Sequence, residues 1–354
     1  MTNKSNKMIF IRLAVWILLV LGLQGIQSNF SWVESSFSRG LYPIYTYLPK
    51  IFFAWLPISI GDLIYTLFCG LAYMIFRSIV LLFRKRFKAS GLQVLRLTEI
   101  ILIIYVFFYT SWGLNYYRIP IHEQMDINVD TILFENHLAV LDQHIQKANA
   151  LREDLNFSDQ SRSIADSKIE KIMREDDVFK MLSKTQVKIK KPIIGPIASY
   201  FGVSGYFNPL SNEAQVNREM PLISYPFTVA HELSHQMGIG FEDECNFIAF
   251  VKLKDNPDPW FQYSAYYQSV TYLLRTLYLV DSTQFGAYQD KLSPKVILDI
   301  KEEQSYWRQY TGWLTNVSGI FYNQYLKYNN QAEGMARYGM VSRLIIAWEQ
   351  KNRQ

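Results

Sequence analysis

The chain has 354 residues, 49% of them hydrophobic and 16% aromatic, and carries a formal net charge of +5. A mean hydropathy of −0.02 conceals a membrane-like first third and a remainder soluble in character. Two cysteines exclude a disulfide framework, and the absence of a P-loop, a zinc finger or a basic patch interleaved with aromatics speaks against a nucleic-acid partner.

Residues 8–26 are apolar except for Arg12 and Gln24. At 1.5 Å per helical residue they can cross the hydrocarbon layer. The stretch 23–28 is only a weak cleavage site, and further spans follow, so a retained anchor is expected rather than a signal peptide. Residues 29–49 carry Trp32, Phe37, Tyr42, Tyr45 and Tyr47. Pro43 and Pro49 disfavour one long helix there and predict an interfacial loop. A second span is expected at about 58–83, with 51–56 at the interface and Asp62 near the outer end. Arg84-Lys85-Arg86-Phe87-Lys88 is a short basic loop of the kind held on the cytoplasmic side, and Lys4, Lys7 and Arg12 place the N-terminus on that side too. A third span at about 97–115 starts beside Glu99. Residues 1–117 therefore read as a three-span anchor in contact with the lipid bilayer. Residues 118–354 read as one domain outside the cytoplasm, periplasmic if the cell is a bacterium with the anchor in its inner membrane.

In that domain His122 falls in a linker over 119–126. His137 and His144, seven apart in a helical pattern over 128–151, read as structural. An amphipathic helix is expected over 161–181, and the basic stretch 184–192 could pass close to a membrane surface. Residues 204–210 and 213–217 predict short strands around a turn. They make either a plain surface hairpin or an exposed edge that holds an extended peptide by its backbone.

His231-Glu232-Leu233-Ser234-His235 follows, an H-E-x-x-H pattern inside the run 226–240. Positions four apart share one helical face, so two neutral imidazoles can point at one divalent ion. Zinc is the usual occupant, with nitrogen ligands at ~2.1 Å. Glu232 then serves as a general base towards water and not as a ligand. Exposed polar groups on a surface helix are the bland alternative. The apolar neighbours Pro226, Phe227, Val229, Ala230, Leu233 and Met237 oppose it. Gly238 and Gly240 end the helix, and 241–250 predicts a second one with an acidic first turn. A third zinc ligand is expected from there. Glu242 is the first choice, because it shares a stripe with the small Cys245, Asn246 and Ala249; Asn246, one turn on, could orient a ligand from behind. Glu244 is the alternative. Aromatic helical sequence continues over 261–279, 297–313, 317–328 and 333–347.

Glu242-x-x-Cys245-Asn246 resembles the Glu-x-x-Ala-Asp element of membrane-bound gluzincin peptidases. There the Glu is the third zinc ligand and the Asp supports the site; Asn246 replaces that Asp here. Trp112-Gly113-Leu114-Asn115-Tyr116, residues 205–217, residues 226–250 and Glu333-Gly334-Met335-Ala336-Arg337-Tyr338 are more closely similar to a bacterial membrane family known as domain of unknown function 3810. That family is regarded as peptidase-like, without an established substrate, and the likeness covers nearly the whole chain. In the shared stretch Tyr338 is a candidate donor to the transition state, and Glu333 a fallback third ligand from a distant helix.

Together these readings imply a mainly α chain. Its N-terminal transmembrane helices carry a zincin-like, mostly helical extracytoplasmic metallopeptidase domain with a small β element. The expected activity is zinc-dependent hydrolysis of peptide bonds in cell-envelope proteins or peptides. A zinc amidase on envelope material and a non-catalytic scaffold are the alternatives, and the sequence leaves the oligomeric state open.

Overall fold

A computed structural model describes residues 2–53, 55–56, 58–175, 178–182, 187–193, 195–331 and 338–352. The chain divides into two compact units, one of Met1–Arg118 with Asn208–Glu213 and one of Ile119–Phe207 with Ala214–Gln354.

The first unit is built on α1 (Thr2–Gln27), α2 (Ile60–Phe83) and α3 (Phe87–Ser111). By length and composition all three can cross a membrane, α1 over Lys7–Gln27. Most of their apolar side chains are not covered by protein, which suits helices whose solvent is lipid. Ser59 caps α2, its hydroxyl accepting the Asp62 amide at 3.1 Å. Glu213 completes that end, accepting the Gly61 amide at 2.7 Å and the Ser59 and Ser211 hydroxyls at 3.1 and 2.9 Å. Gly61 has to be glycine here, since a Cβ would lie 2.7 Å from the Asn208 side chain. The turn into α3 is three residues, with Lys85 at a φ of 57°.

Two expectations change in this unit. The third apolar helix begins at Phe87 instead of 97 and stops at Ser111, so Glu99 sits mid-helix. There it takes a two-pronged ion pair from Arg12 of α1, at 2.6 and 3.0 Å. The expected loop over 29–49 is instead a chain of short helical pieces: Phe30–Trp32, a π-helical stretch Val33–Leu41, Tyr42–Tyr45 and Tyr47–Phe53. Pro43 and Pro49 fall in first turns, where no amide bond is lost, so they segment the helix without abolishing it. Buried Glu34 accepts two bonds from Arg118, both at 2.8 Å, and one from Arg39 at 2.8 Å.

The second unit carries α4 (Phe134–Asp154), α5 (Arg162–Glu175), α6 (Tyr225–Gln236), α7 (Glu242–Lys254), α8 (Pro259–Val280), α9 (Ser282–Gln289), α10 (Pro294–Tyr310), α11 (Trp313–Tyr328) and α12 (Tyr338–Lys351). α8 lies along α4, α7 and α12, and α6 lies against α5 and α7. Phe247, Phe250, Trp260, Phe261, Leu141 and Ile145 fill the space between them. His137 and His144 are both structural, as expected. Their rings meet the Leu273 carbonyl at 3.0 Å and the Ser269 hydroxyl at 2.7 Å, pinning α4 to α8.

Three short strands, β1 (Ile189–Lys190), β2 (Gly205–Asn208) and β3 (Glu213–Val216), form a sheet in the order β1-β3-β2. β1 pairs parallel with β3, Ile189 opposite Ala214. The hairpin of β2 and β3 lies where its alternation predicts it. β1 falls in the basic stretch 184–192 and is too short at two residues to leave a period in the sequence.

Candidate metal centre

α6 begins with Pro226 in its first turn, where a missing amide costs nothing. It ends at Gly238, whose φ of +89° closes the last turn. The Gly238 and Ile239 amides return to the His235 and Ser234 carbonyls at 3.0 and 3.2 Å, the paired bonds of a Schellman stop. This turn brings the Ile239 carbonyl to 2.8 Å from His235 Nδ1.

His231 and His235 project one turn apart, with ring centroids 4.9 Å apart at 82°. α7 then opens with Glu242, Asp243 and Glu244, whose charge suits a helix N-terminus. One Glu242 oxygen lies 3.1 Å from His231 Nε2 and the other 3.3 Å from His235 Nε2. The three ligand atoms lie within 4.8 Å of one another. Asn246, one turn along α7, places Oδ1 2.8 Å from His231 Nδ1. Both Nδ1–H groups thus donate to oxygen, which fixes the ring orientations and aims both Nε2 atoms at Glu242. Cys245 is fully buried, its Sγ 3.3 Å from His235 Nδ1.

Two imidazole nitrogens and a carboxylate are a zinc donor set, and ligand atoms ~2.1 Å from one tetrahedral ion lie about 3.4 Å apart. The distances to Glu242 fit that spacing. The side chains of His231 and Glu242 keep 13% and 27% exposure, so the cluster is open on one side. Burial pushes the Glu242 carboxyl up, but the two imidazoles outweigh it and hold Glu242 well below the usual carboxylate range.

Glu232 is only 4% exposed, and its Oε2 has no hydrogen-bond partner among the described residues. Burial pushes its carboxyl up to about 7 against the pull of His231 and His235. β2 lies over this side of α6. A Cβ on Gly205 would stand 2.7 Å from Glu232 Cγ and Oε1. Two residues on, and so on the same strand face, Phe207 stacks on His235 with centroids 6.4 Å apart.

Of the sequence candidates, His231, Glu232, His235, Glu242 and Asn246 come together here. Glu244 does not: its carboxylate is turned to the Ile121 amide, which it accepts at 2.7 Å. Glu333 and the side chain of Tyr338 lie outside the described residues. One residue at the site went unread in the sequence. Tyr322 of α11 donates its hydroxyl to Glu242 Oε1 at 2.6 Å. Burial, with the Glu242 and Glu232 charges, raises its pKa well above the ordinary tyrosine value and keeps it protonated. No local signal marks Tyr322, because 80 residues separate it from Glu242.

A family model described as "Protein of unknown function (DUF3810)" matches residues 37–346. No curated protein and no solved structure matches the chain.

Proposed function

This chain belongs to the DUF3810 family of proteins of unknown function, and we propose that it is a membrane-anchored zinc peptidase acting on extended segments of cell-envelope proteins or peptides. The observation that carries this reading is the buried Glu232 carboxyl, whose Oε2 has no partner among the described residues, beside two imidazoles oriented by their Nδ1 bonds. A purely structural ion would need the ligands but not the unpaired acid.

Zinc held by His231, His235 and Glu242 would supply Lewis-acid chemistry, acidifying water and polarising a carbonyl. The residues around it do the rest. Glu232 takes a proton from the attacking water and returns it to the leaving amine, for which a carboxyl near pH 7 is well matched. Asn246 and the Ile239 carbonyl hold the imidazoles in orientation, with Nε2 aimed at the site of the ion. β2, at the sheet edge, aligns an extended chain through its backbone. This edge favours a peptide over a small amide as substrate. The Tyr322 hydroxyl, which donates to Glu242 Oε1 here, would turn to the carbonyl oxygen as charge develops there, with Tyr338 a second candidate for that role. The basic turn Arg84-Lys85-Arg86 supports a cytoplasmic N-terminus and a periplasmic second unit.

Elemental analysis of the purified full-length protein should find one zinc per chain, and Glu232→Gln should retain it. The same substitution should lower cleavage of a fluorogenic peptide library by 10²–10⁴-fold, the range for a lost general base. Zinc content unaffected by His231→Ala, or undiminished cleavage by Glu232→Gln, defeats the reading.

A further inference from the structure

α11 is more apolar outside than inside. Trp313, Val317, Ile320, Phe321, Gln324 and Tyr328 fall on one side of the helix at 100° per residue. Trp313, Ile320, Phe321 and Tyr328 are 73%, 64%, 72% and 66% exposed. The opposite side is tied down by polar bonds. Thr315 donates to the Tyr200 carbonyl at 3.0 Å, Ser318 to the Phe201 carbonyl at 2.8 Å, and Tyr322 to Glu242. The outward orientation is therefore held by the fold.

Those bonds also join α11 to the short helix Gly195–Tyr200, which exposes Ile197 and Tyr200, with Ile193 exposed just before it. Gly202 permits the close fit. Its φ is +71°, and a Cβ there would lie 3.0 Å from Thr315 Cγ2. Charge is as one-sided as polarity. Residues 187–203 and 313–328 contain four lysines and no Asp or Glu. Lys191 and Lys327 are exposed.

We propose that α11 and the Gly195–Tyr200 helix form an interfacial element that lies in the headgroup region of an anionic bilayer. Trp, Tyr and Phe sit stably at that depth, aliphatic side chains reach the acyl boundary, and lysines meet anionic headgroups. The occupant is set by what else the chain carries. Three bilayer-length helices keep a membrane within reach at all times, so a weak surface contact acts at high effective concentration. A second copy of the chain fits poorly, because pairing this patch with itself sets lysines against lysines with no acid to meet them. The docking is independent of the metal chemistry. Its consequence is positional, since Tyr322 on the inner side of α11 touches Glu242 and so ties the metal centre to the docked helix.

The test uses full-length protein in vesicles of phosphatidylethanolamine and phosphatidylglycerol doped with a phospholipid bearing an acyl-chain diazirine. Adducts are mapped by mass spectrometry after irradiation. The expected result is labelling of 313–328 alongside α1, α2 and α3. It should fall at least fivefold in 313–328 for Ile320→Lys/Phe321→Lys, with the three long helices labelled as before. Gln324→Leu, which extends the apolar face without disturbing packing, should raise labelling at least twofold. Pure phosphatidylcholine should lower it at least threefold. Adducts confined to α1, α2 and α3, chain-to-chain cross-links through 313–328 in place of lipid adducts, or equal labelling in both lipid mixtures would each overturn the proposal.

Discussion

Gly205 is the smallest residue at the candidate metal centre and among the most constrained. The strand that carries it approaches Glu232 so closely that one methyl group would overlap the carboxyl. Gly205→Ala is expected to move Glu232 while leaving both imidazoles on their oxygen acceptors. The variant should bind zinc normally and lose peptide cleavage by 10²-fold or more, since small displacements of catalytic groups are costly. Loss of zinc in parallel with activity would show that Gly205 supports the ligands and not the base. Tyr322 makes a complementary prediction. If its hydroxyl serves the developing charge, Tyr322→Phe should lower kcat 10–10³-fold with little change in KM. If Tyr322 only steadies Glu242, the same variant should instead weaken zinc retention against a chelator and leave kcat of the zinc-loaded protein unchanged.

Among elements, the helix ends and helix pairs do most of the positioning. Gly238 stops α6 so that the chain turns back and offers the Ile239 carbonyl to His235. Glu213 completes the start of α2 with a carboxylate over its first amides, a favourable charge at a helix N-terminus. Between α1 and α3, Arg12 and Glu99 neutralise each other inside segments long enough to span lipid. A lone charge there would have to be solvated at depth. Arg12→Leu or Glu99→Leu alone should therefore lower the yield and thermal midpoint of the purified protein. The double replacement should recover much of the loss, because it removes the partnerless charge. Additive losses in the double variant would argue against a coupled pair.

For the molecule as a whole, acid stability should carry the signature of Glu34. Burial pushes its carboxyl up, but Arg118 and Arg39 prevail and hold it below the ordinary value of 4.5. A carboxylate depressed by folding adds stability that is complete above 4.5 and disappears as pH falls through its folded value. Unfolding midpoints measured from pH 7 downwards should decline steeply below about pH 4.5 in the wild type. Glu34→Gln should start lower at pH 7, with Arg118 left uncompensated, and decline less steeply. Identical pH profiles would exclude Glu34 as a contributor.

Local geometry was legible along the chain. Apolar runs of bilayer length, residues four apart on a helix, paired glycines as a stop and alternation around a turn all act within a few residues, so α1, α2, the metal helix α6 and the hairpin could be read directly. The basic turn Arg84–Arg86 is where it was expected, but the start of α3 was misplaced by ten residues because 87–96 is more polar than the apolar run that follows and the helix continues through both. Contacts between distant segments fixed the rest. They put Glu242 beside the two imidazoles and turned Glu244 to the Ile121 amide, since two acids in one helical turn differ only in which neighbour each can reach. They brought Tyr322 to Glu242 across 80 residues, set Gly205 against Glu232, and turned the apolar side of α11 outwards. These choices follow from packing, and packing leaves no period along the chain.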